Sequence, residues 1–192
     1  GIALTIQSSW GDCELRLSLL GEFNVANVLA AICTQLCLGK NLKQIAYIVQ
    51  KLQPVTGRME LYTCAKHATI VVDYAHTPDA LEKALLAIRQ HCQGKIWCVF
   101  GCGGDRDKGK RPLMGEIAQR FSDHVIVTDD NVRSEDPQKI VQDILAGCVR
   151  PESILVEHDR KAAIQLAASQ ATVGDMILVA GKGHETYQII GN

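Results

Sequence analysis

Five short apolar segments alternate with helical patterns along most of this sequence, and this alternation restricts the possible folds more than any other feature. The segments are "TIVVD" (69–73), "IWCVF" (96–100), "HVIVT" (124–128), "SILVE" (153–157) and "MILVA" (176–180). Because apolar residues occupy successive positions, both faces of each strand should be buried, as in a parallel sheet covered by helices. The helical patterns between them fit the crossover connections that parallel strands require. We therefore predict a doubly wound α/β domain.

The beginning of the chain has a different pattern. "CELRLSL" (13–19) alternates apolar and polar residues, which predicts a half-buried strand, and "ALTI" (3–6) is expected to pair with it. Two helical patterns follow, the first with an apolar face of Val25, Val28, Leu29, Ile32 and Leu36. Two strands and two helices make a thin core, so we predict that residues 1–56 are the tail of one domain and residues 57–192 belong to a second. "QPVTGRME", with its proline and glycine, is the expected hinge.

The composition excludes several classes of protein. With 47% hydrophobic residues and a net charge of −1, the chain is neither disordered nor polybasic, and we expect no nucleic-acid partner. No apolar run reaches the roughly 18 residues of a membrane-spanning helix, and the first residues lack a signal-peptide pattern. The eight cysteines form neither CxxC pairs nor a set with zinc-ligand spacing. We interpret them as reduced, mostly buried thiols, and we expect a cytoplasmic protein that inserts into no membrane.

Polar clusters follow four of the five predicted strands. They are "DYAHTPD", "GCGGDRDKGKR", "DDNVRSEDP" and "GKGHET". The carboxyl ends of parallel strands lie on one edge of the sheet, and open α/β sheets bind ligands at that edge. A single polar loop is expected on any surface, but four on the same edge favour a binding site.

The cluster "GCGGDRDKGKR" combines glycines, through which the backbone could approach a ligand closely, with positive charge. Its cations are Arg106, Lys108, Lys110 and Arg111. It is not GxGxxG, because Arg106 stands where the last glycine should be, and neither it nor "GKGHET" matches a GxxxxGK[ST] phosphate loop. A dinucleotide-binding oxidoreductase is therefore disfavoured. The alternative to a ligand-binding role is a solvated basic turn.

Other candidate residues have an ordinary structural alternative. Asp73 could accept a hydrogen bond from a ribose hydroxyl or cap the helix that follows, and His76 could equally belong to that cap. Arg58 could be a surface residue, and Asn24 could cap a helix. In "GKGHET", Glu185 could accept a hydrogen bond from an ammonium group.

The segment "TDDNVRSEDP" places two aspartates, an asparagine and an arginine close together on one loop. Acidic and basic groups held this close could form a solvated turn. They could also bind a small molecule that carries both charges, because each charge of such a ligand needs an opposite partner.

Six segments together resemble the Mur ligase family. They are "GEFNVANVLAAI", "PVTGRMEL", "VVDYAHTPDAL", "FGCGGDRDKGKRPLMG", "TDDNVRSEDP" and "LVAGKGHETYQ", and the resemblance covers essentially the whole chain. It implies an enzyme with a uridine-nucleotide-binding domain, a central ATPase domain and a C-terminal Rossmann-like domain. Residues 1–56 would then be the end of the central domain and residues 57–192 most of the C-terminal domain, so both ends of the chain would be cut.

The members that the motifs resemble most add meso-diaminopimelate to UDP-N-acetylmuramoyl-L-alanyl-D-glutamate during peptidoglycan precursor synthesis. In the implied reaction ATP phosphorylates the D-glutamate carboxylate, and the diaminopimelate amine attacks the acyl phosphate. The implied cofactors are ATP and Mg²⁺. The phosphate-loop lysine and the Mg²⁺ ligands would lie outside this chain, so we assign no catalytic residue within it and expect the isolated chain, a monomer, to be inactive.

The resemblance also implies ligand-binding residues. Those for ATP are Asn24, Arg58, Asp73 and His76, with Arg58 at phosphate and Asp73 at the ribose. Those for meso-diaminopimelate are Arg106, Asp130, Asn131, Val132, Arg133, Gly181 and Glu185. The family's tetrad reads Asp-Asn-Pro-Arg, whereas this chain has Val132 in place of the proline and so loses a fixed φ that would preorganise the loop.

Two kinds of alternative remain open. One is a sibling ligase that adds lysine, or one that adds glutamate to folate, and the charged tetrad argues against both. The other is a non-catalytic module that binds an amino acid. ATP turnover would separate an enzyme from such a module.

Overall fold

The computed structural model describes residues 1–191. The chain forms two compact units, one of Gly1–Val55 and a second that begins at Thr56. The assignment of the first unit to the end of a central ATPase domain remains a prediction. No helix within residues 1–191 is both long and apolar enough to cross a membrane.

The first unit consists of an antiparallel pair of strands and two helices. Its elements are β1 (Ile2–Ser8), β2 (Gly11–Leu17), α1 (Glu22–Cys37) and α2 (Leu42–Val49). On α1 the buried side chains are Val28, Ile32 and Leu36, which follow one another at intervals of four residues. Leu29, expected on the same face, is 37% exposed. A core of two strands and two helices covers only this narrow stripe of α1, so the prediction for Leu29 is wrong.

The second unit is built on a six-stranded sheet. Its strands are β3 (Glu60–Tyr62), β4 (Thr69–Asp73), β5 (Ile96–Phe100), β6 (His124–Val127), β7 (Leu155–Val156) and β8 (Met176–Ala180). They lie in the order β3-β4-β8-β5-β6-β7, with β3 antiparallel to β4 and all other neighbours parallel. The predicted α/β sheet is therefore confirmed. The two edge strands differ from prediction. Strand β3 was not predicted at all. Strand β7 has two residues instead of the predicted five, because an edge strand has only one neighbouring strand to bury it.

Four helices connect the strands of this sheet. They are α3 (Pro78–Arg89), α4 (Lys110–Phe121), α5 (Pro137–Leu145) and α6 (Arg160–Gln170). The N-cap of α3 is Thr77, whose side chain accepts the Ala80 N–H at 3.3 Å. Asp73 is therefore not the cap of this helix.

The two central strands, β5 and β8, are buried along their whole length. On one face Val99 and Ile177 pack with Ala163 and Ala167 of α6. Successive side chains alternate between faces, so Phe100 points to the opposite face, where α3 contacts both central strands. Burying each large apolar side chain contributes roughly 1.5–3 kcal/mol. The loops that leave these strands therefore start from a rigid base.

Candidate functional site

The four polar clusters meet at the carboxyl edge of the sheet. Because β8 lies between β4 and β5, the loop after β8 runs beside the loop after β4. The N–H groups of Gly181 and Gly183 both donate to the Asp73 carbonyl, at 3.1 and 3.3 Å. The N–H of Gly104 donates to the Asn131 carbonyl at 2.8 Å, which joins the loop after β5 to the loop after β6. The predicted ligand edge is thus a continuous surface of connected loops.

A buried lysine joins the loop after β6 to the loop after β8. The Lys182 ammonium donates to Asn131 Oδ1 at 2.6 Å and to Glu185 Oε2 at 3.2 Å, and it lies 3.7 Å from Asp130 Oδ1. Asn131 Nδ2 also donates to Glu185 Oε2, at 3.3 Å. We call these four residues the Lys182 cluster. The sequence predicted the other three as site residues but missed Lys182, because nothing in a lysine between two glycines shows that it will be buried.

The Lys182 cluster keeps Glu185 ionised. Burial alone would raise the pKa of Glu185, but hydrogen bonds from Lys182 and Asn131, together with the lysine charge, outweigh burial and lower that pKa. Gly181 lies against Asp130 with φ of 107°, and a Cβ at this position would stand 2.9 Å from Asp130 Oδ2. Glycine is therefore required here both for its backbone conformation and to leave Oδ2 uncovered.

Arg133 is held at the same edge by backbone groups on two sides. Its φ is 52°, in the left-handed region that residues with a side chain seldom adopt. Nη1 donates to the carbonyls of Gly104 at 2.8 Å and Asn131 at 3.2 Å, whereas Nε and Nη2 have no partner within residues 1–191. Its own N–H donates to the Ile189 carbonyl at 3.0 Å, and its carbonyl accepts from Gly191 at 2.9 Å. The guanidinium therefore has a fixed position and unused N–H donors suited to a carboxylate.

Val132, which replaces the family's proline, is buried with 5% of its surface exposed. Its carbonyl accepts the Glu135 N–H at 3.1 Å. The same carbonyl lies so close to Gly104 that a Cβ there would overlap it. Tertiary packing and hydrogen bonds therefore fix this loop without a proline.

Arg111 lies inside the protein and not in an exposed basic turn. Its guanidinium is fully buried, forms ion pairs with Glu135 at 2.9 Å and Asp143 at 2.8 Å, and donates to the Gly103 carbonyl at 3.1 Å. The sequence counted Arg111 among the cations of a ligand-facing loop. That interpretation is wrong, because residue 111 already belongs to α4 and its side chain turns inward to bind the acidic groups after β6 and on α5.

Glu135 and Asp105 fasten the loop after β5 to the loop after β6. Glu135 Oε1 accepts the Asp105 N–H at 2.6 Å, and the Asp105 carboxylate accepts the Ser134 N–H at 3.1 Å and the Ser134 hydroxyl at 2.8 Å. The hydrogen bond from Arg111, followed by that from the Asp105 N–H, lowers the pKa of Glu135 to about 2. Both loops are thus fixed by charged groups that stay ionised at neutral pH.

Arg106 lies on the loop after β5 but extends into solvent. Its side chain is exposed, and it forms no hydrogen bond or ion pair with the residues from 1 to 191. It therefore lies on the predicted edge, but its side chain is not held in place as that of Arg133 is.

A second group of side chains surrounds the end of β4. The Asp73 carboxylate accepts the N–H groups of Met59 and Ala75, both at 2.8 Å. Burial raises the pKa of Asp73, against the opposing effect of these hydrogen bonds and of the Arg58 charge. Asp73 thus fixes the segment around Met59, where φ is 47°, beside β4. Each carboxylate oxygen can still accept a second hydrogen bond from a ligand.

Tyr74 brings together two residues that the resemblance assigns to ATP. The Arg58 guanidinium lies 4.3 Å from the centre of the Tyr74 ring, and the His76 ring lies 4.7 Å from it, edge-on. His76 Nδ1 is hydrogen-bonded to the Tyr74 carbonyl at 2.8 Å. The ring of His184, from the loop after β8, stacks at 5.6 Å. The sequence analysis missed Tyr74, although it stands directly between Asp73 and Ala75 in a cluster already singled out.

Asn24, the fourth residue assigned to ATP, belongs to the first unit. Its side chain donates to the Leu20 carbonyl at 2.7 Å and accepts from Asn27 at 3.3 Å. The N-cap of α1 is Gly21, and no side chain accepts a hydrogen bond there. Asn24 is therefore not a helix cap, and its role toward ATP remains a prediction.

A known protein family matches most of the second unit. The family is described as "Mur ligase, glutamate ligase domain", and the match covers residues 57–183. Together with the parallel sheet and the connected loops at its carboxyl edge, this match shows that the chain belongs to the Mur ligase family.

Two curated relatives are similar to the chain over nearly all of its length. The UDP-N-acetylmuramoyl-L-alanyl-D-glutamate–2,6-diaminopimelate ligase of Vibrio vulnificus is 55% identical over 190 residues, which is 99% of this chain and 38% of the relative. The ligase of the same name from Vibrio cholerae is 54% identical over 192 residues, which is 100% of this chain and 39% of the relative. The chain thus spans well under half the length of these relatives.

Solved structures show the same fold. A structure of a UDP-N-acetylmuramoyl-L-alanyl-D-glutamate–2,6-diaminopimelate ligase superposes with a TM-score of 0.70 and 42% identity, and the match covers 98% of this chain and 39% of that one. The folylpolyglutamate synthase of Mycobacterium tuberculosis has a TM-score of 0.72, with 93% of this chain and 42% of that chain covered. Its identity is only 20%, so this second likeness shows the fold alone.

Proposed function

We propose that this chain is the amino-acid-binding part of an ATP-dependent ligase that adds meso-diaminopimelate to UDP-N-acetylmuramoyl-L-alanyl-D-glutamate in the cytoplasm. The observation that carries the proposal is the pairing, on one sheet edge, of the anionic Lys182 cluster with the fixed guanidinium of Arg133. Each charged end of meso-diaminopimelate has an ammonium and a carboxylate. A site that offers both kinds of partner in fixed positions suits such a ligand.

On the amino-acid side, Asp130 and Glu185 would accept from an ammonium of meso-diaminopimelate. Arg133 would bind a carboxylate through Nε and Nη2, and Arg106 would close on it from the solvent side. Asn131, Val132 and Gly181 would shape the site through the contacts described above. These residues hold the amino acid so that its other amine faces the activated substrate, and such orientation can lower a barrier by several kcal/mol.

On the nucleotide side, Arg58 would contact phosphate, Asp73 the ribose, and His76 would lie beside them against Tyr74. Asn24 would contribute from the first unit. No group of three or more His, Cys, Asp or Glu side chains within residues 1–191 is arranged to hold a metal ion. We therefore expect the Mg²⁺ ligands and the phosphate loop on the part of the ligase that aligns outside this chain.

A sibling ligase that adds lysine is the second candidate. Lysine lacks the distal carboxylate of meso-diaminopimelate, so with lysine bound a guanidinium in that place would lack its partner. A site built to hydrogen-bond a substrate group can reject an analogue without that group by about 10⁴-fold. With Arg133 placed at the distal carboxylate, its fixed position favours meso-diaminopimelate over lysine.

The test is a hybrid ligase in which this chain replaces the aligned segment of the Vibrio vulnificus relative. ADP release is measured with the UDP-linked dipeptide and either meso-diaminopimelate or lysine, and the product is identified by mass spectrometry. We expect ATP-dependent formation of the diaminopimelate adduct and little or no lysine adduct. Equal use of lysine would favour the sibling, and no adduct with either amino acid, from a hybrid that is folded, would contradict the proposal.

A further inference from the structure

Lys182 is a buried cation that already has two hydrogen bonds and one further ion pair without a ligand. An ammonium has three N–H donors, and three acceptors surround this one: Asn131 Oδ1, Glu185 Oε2 and, at the longer distance of 3.7 Å, Asp130 Oδ1. The residue is 7% exposed. Moving its charge away would leave the buried Asp130 carboxylate and the partly buried Glu185 carboxylate without their partner, which is costly. We therefore expect the Lys182 ammonium to keep this position when a ligand binds.

The lysine divides the oxygens of the two carboxylates into two sets. Asp130 Oδ1 faces Lys182 and also accepts the Asn131 N–H at 2.6 Å. Glu185 Oε2 accepts from both Lys182 and Asn131. The remaining oxygens are Asp130 Oδ2, beside Gly181, and Glu185 Oε1, whose only partner within residues 1–191 is the Tyr74 hydroxyl at 3.3 Å. One oxygen of each carboxylate is thereby left for a ligand.

The lysine also sets the charge of the cluster. Two carboxylates and one ammonium give a net charge of −1, which one ligand ammonium neutralises. Without Lys182 the two carboxylates would repel each other, and one of them would tend to take up a proton. A protonated carboxyl group attracts a cation far less than a carboxylate does.

On the basis of the function proposed above, we propose that Lys182 is a positioning residue that determines specificity for the ligand's ammonium group. It occupies one oxygen of Asp130 and one of Glu185, and it aims the other two oxygens at a single ammonium. Its action is through these residues, and it does not itself contact the reacting atoms.

The test compares Lys182→Met, Lys182→Gln and Lys182→Arg in the hybrid ligase, with Lys139→Met as the matched control at an exposed position of α5. Loss of the charge should raise the KM for meso-diaminopimelate about tenfold or more, with a smaller effect on kcat and on the KM for ATP. Lys182→Arg should recover part of the affinity. Lys139→Met should match the parent. Because glutamine fills similar space, Lys182→Gln provides the measurement if Lys182→Met does not fold.

The pH profile of kcat/KM for meso-diaminopimelate separates positioning from a merely structural role. The groups that face Glu185 are Lys182, Asn131 and Tyr74, with Asp130 across the lysine and Arg58 over the Tyr74 ring. Removing the lysine charge should move the acidic side of the kcat/KM profile to higher pH, because Glu185 then protonates more easily. An activity loss with an unmoved acidic side of this profile, or an unchanged KM, would overturn the proposal.

Carboxyl carbon NMR of the 192-residue chain provides a readout that does not depend on the reaction. Glu185 should titrate at higher pH in Lys182→Gln than in the parent, and an unchanged titration would also overturn the role proposed for Lys182. If the parent hybrid makes no diaminopimelate adduct while Glu185 titrates as expected, the proposed function fails, and with it the ligand assigned to this cluster.

Discussion

The residues of the site differ in how firmly the protein holds them, and this difference predicts their roles. Arg133 has its backbone bound on both sides and one guanidinium nitrogen fixed by two carbonyls. Arg106 is exposed and adaptable. A fixed donor can discriminate between ligands, because it cannot relax when its partner is missing, whereas a mobile donor mainly adds affinity.

Arg133→Ala should therefore narrow the preference for meso-diaminopimelate over lysine in the hybrid ligase. Loss of a charge-assisted hydrogen bond costs about 1.5–3 kcal/mol, so kcat/KM for meso-diaminopimelate should fall roughly 10- to 100-fold with little change for lysine. A competition assay with both amino acids measures the ratio, and Arg150→Ala, at an exposed position, is the control. An unchanged ratio would show that Arg133 does not bind the distal carboxylate.

The cysteines should fall into two classes of reactivity. Burial raises the pKa of the Cys98 and Cys102 thiols to about 12, so neither forms the reactive thiolate near neutral pH. Cys33, Cys37 and Cys64 are exposed, so the expectation that most of the thiols are buried is wrong. Brief alkylation of the folded chain at pH 8, followed by peptide mass spectrometry, should label the three exposed residues and spare the two buried ones. Rapid labelling of Cys98 before unfolding would contradict this expectation.

At the scale of elements, the site depends on how the loops after β5 and β6 are joined. Arg111, at the beginning of α4, binds Glu135 after β6, Asp143 on α5 and the Gly103 carbonyl. These contacts fix the loop after β5, which contains Gly103, to the loop after β6, which carries Arg133. The buried ion pair therefore positions the site, whatever its net contribution to stability.

Replacing Arg111 with methionine should destabilise the chain strongly. The change removes the hydrogen bonds that Arg111 donates to Glu135, Asp143 and the Gly103 carbonyl, and breaking a buried ion pair in this way costs about 3–5 kcal/mol. Urea unfolding measures the loss. Arg120→Met, an exposed position on the same helix, should change the free energy of unfolding by less than about 0.5 kcal/mol. Equal urea midpoints for Arg111→Met and Arg120→Met would mean that the buried ion pair is not needed for stability.

The pairing of Glu135 predicts a dependence of stability on pH. Its pKa is lowered from 4.5 to about 2 in the folded chain, so its contribution is complete above the ordinary pKa and is lost as the pH falls toward 2. Thermal melting of the parent and of Glu135→Gln, from pH 6 to pH 2, should show a gap in Tm that closes over this interval. Glu116→Gln, an exposed change on α4, should show no such gap. A gap that stays constant with pH would exclude the pairing as its cause.

At the scale of the molecule, the chain aligns with only part of each curated relative. Its curated relatives are more than twice as long, and the charged groups at its sheet edge suit binding and orientation of an amino acid. We expect the isolated chain to release no ADP from ATP above background, with or without meso-diaminopimelate and the UDP-linked dipeptide. A coupled ADP assay checks this, with the hybrid ligase as the positive control. Turnover by the isolated chain would show that it holds a complete catalytic site.

The sequence by itself determined the α/β sheet and the sheet edge at which the polar loops gather. Residues such as Val99 and Ile177 belong to strands that are apolar on both faces, which only a covered parallel sheet can bury. Polar loops that follow such strands must then gather on one edge. These inferences succeed because they need only the local pattern and the direction of the strands.

Tertiary structure alone decided which charged residues at this edge are exposed and which are buried. Arg111 and Arg106 stand five positions apart in one basic segment, yet one is buried and the other exposed. The partner of Arg111 lies 24 residues away, and the asparagine that receives the Lys182 ammonium lies 51 residues away. Asn131 and Lys182 meet because β6 and β8, the strands that precede them, lie on either side of β5 in the sheet. Burial of a charge depends on such distant partners, because only they offset the loss of water, and no local sequence pattern records them.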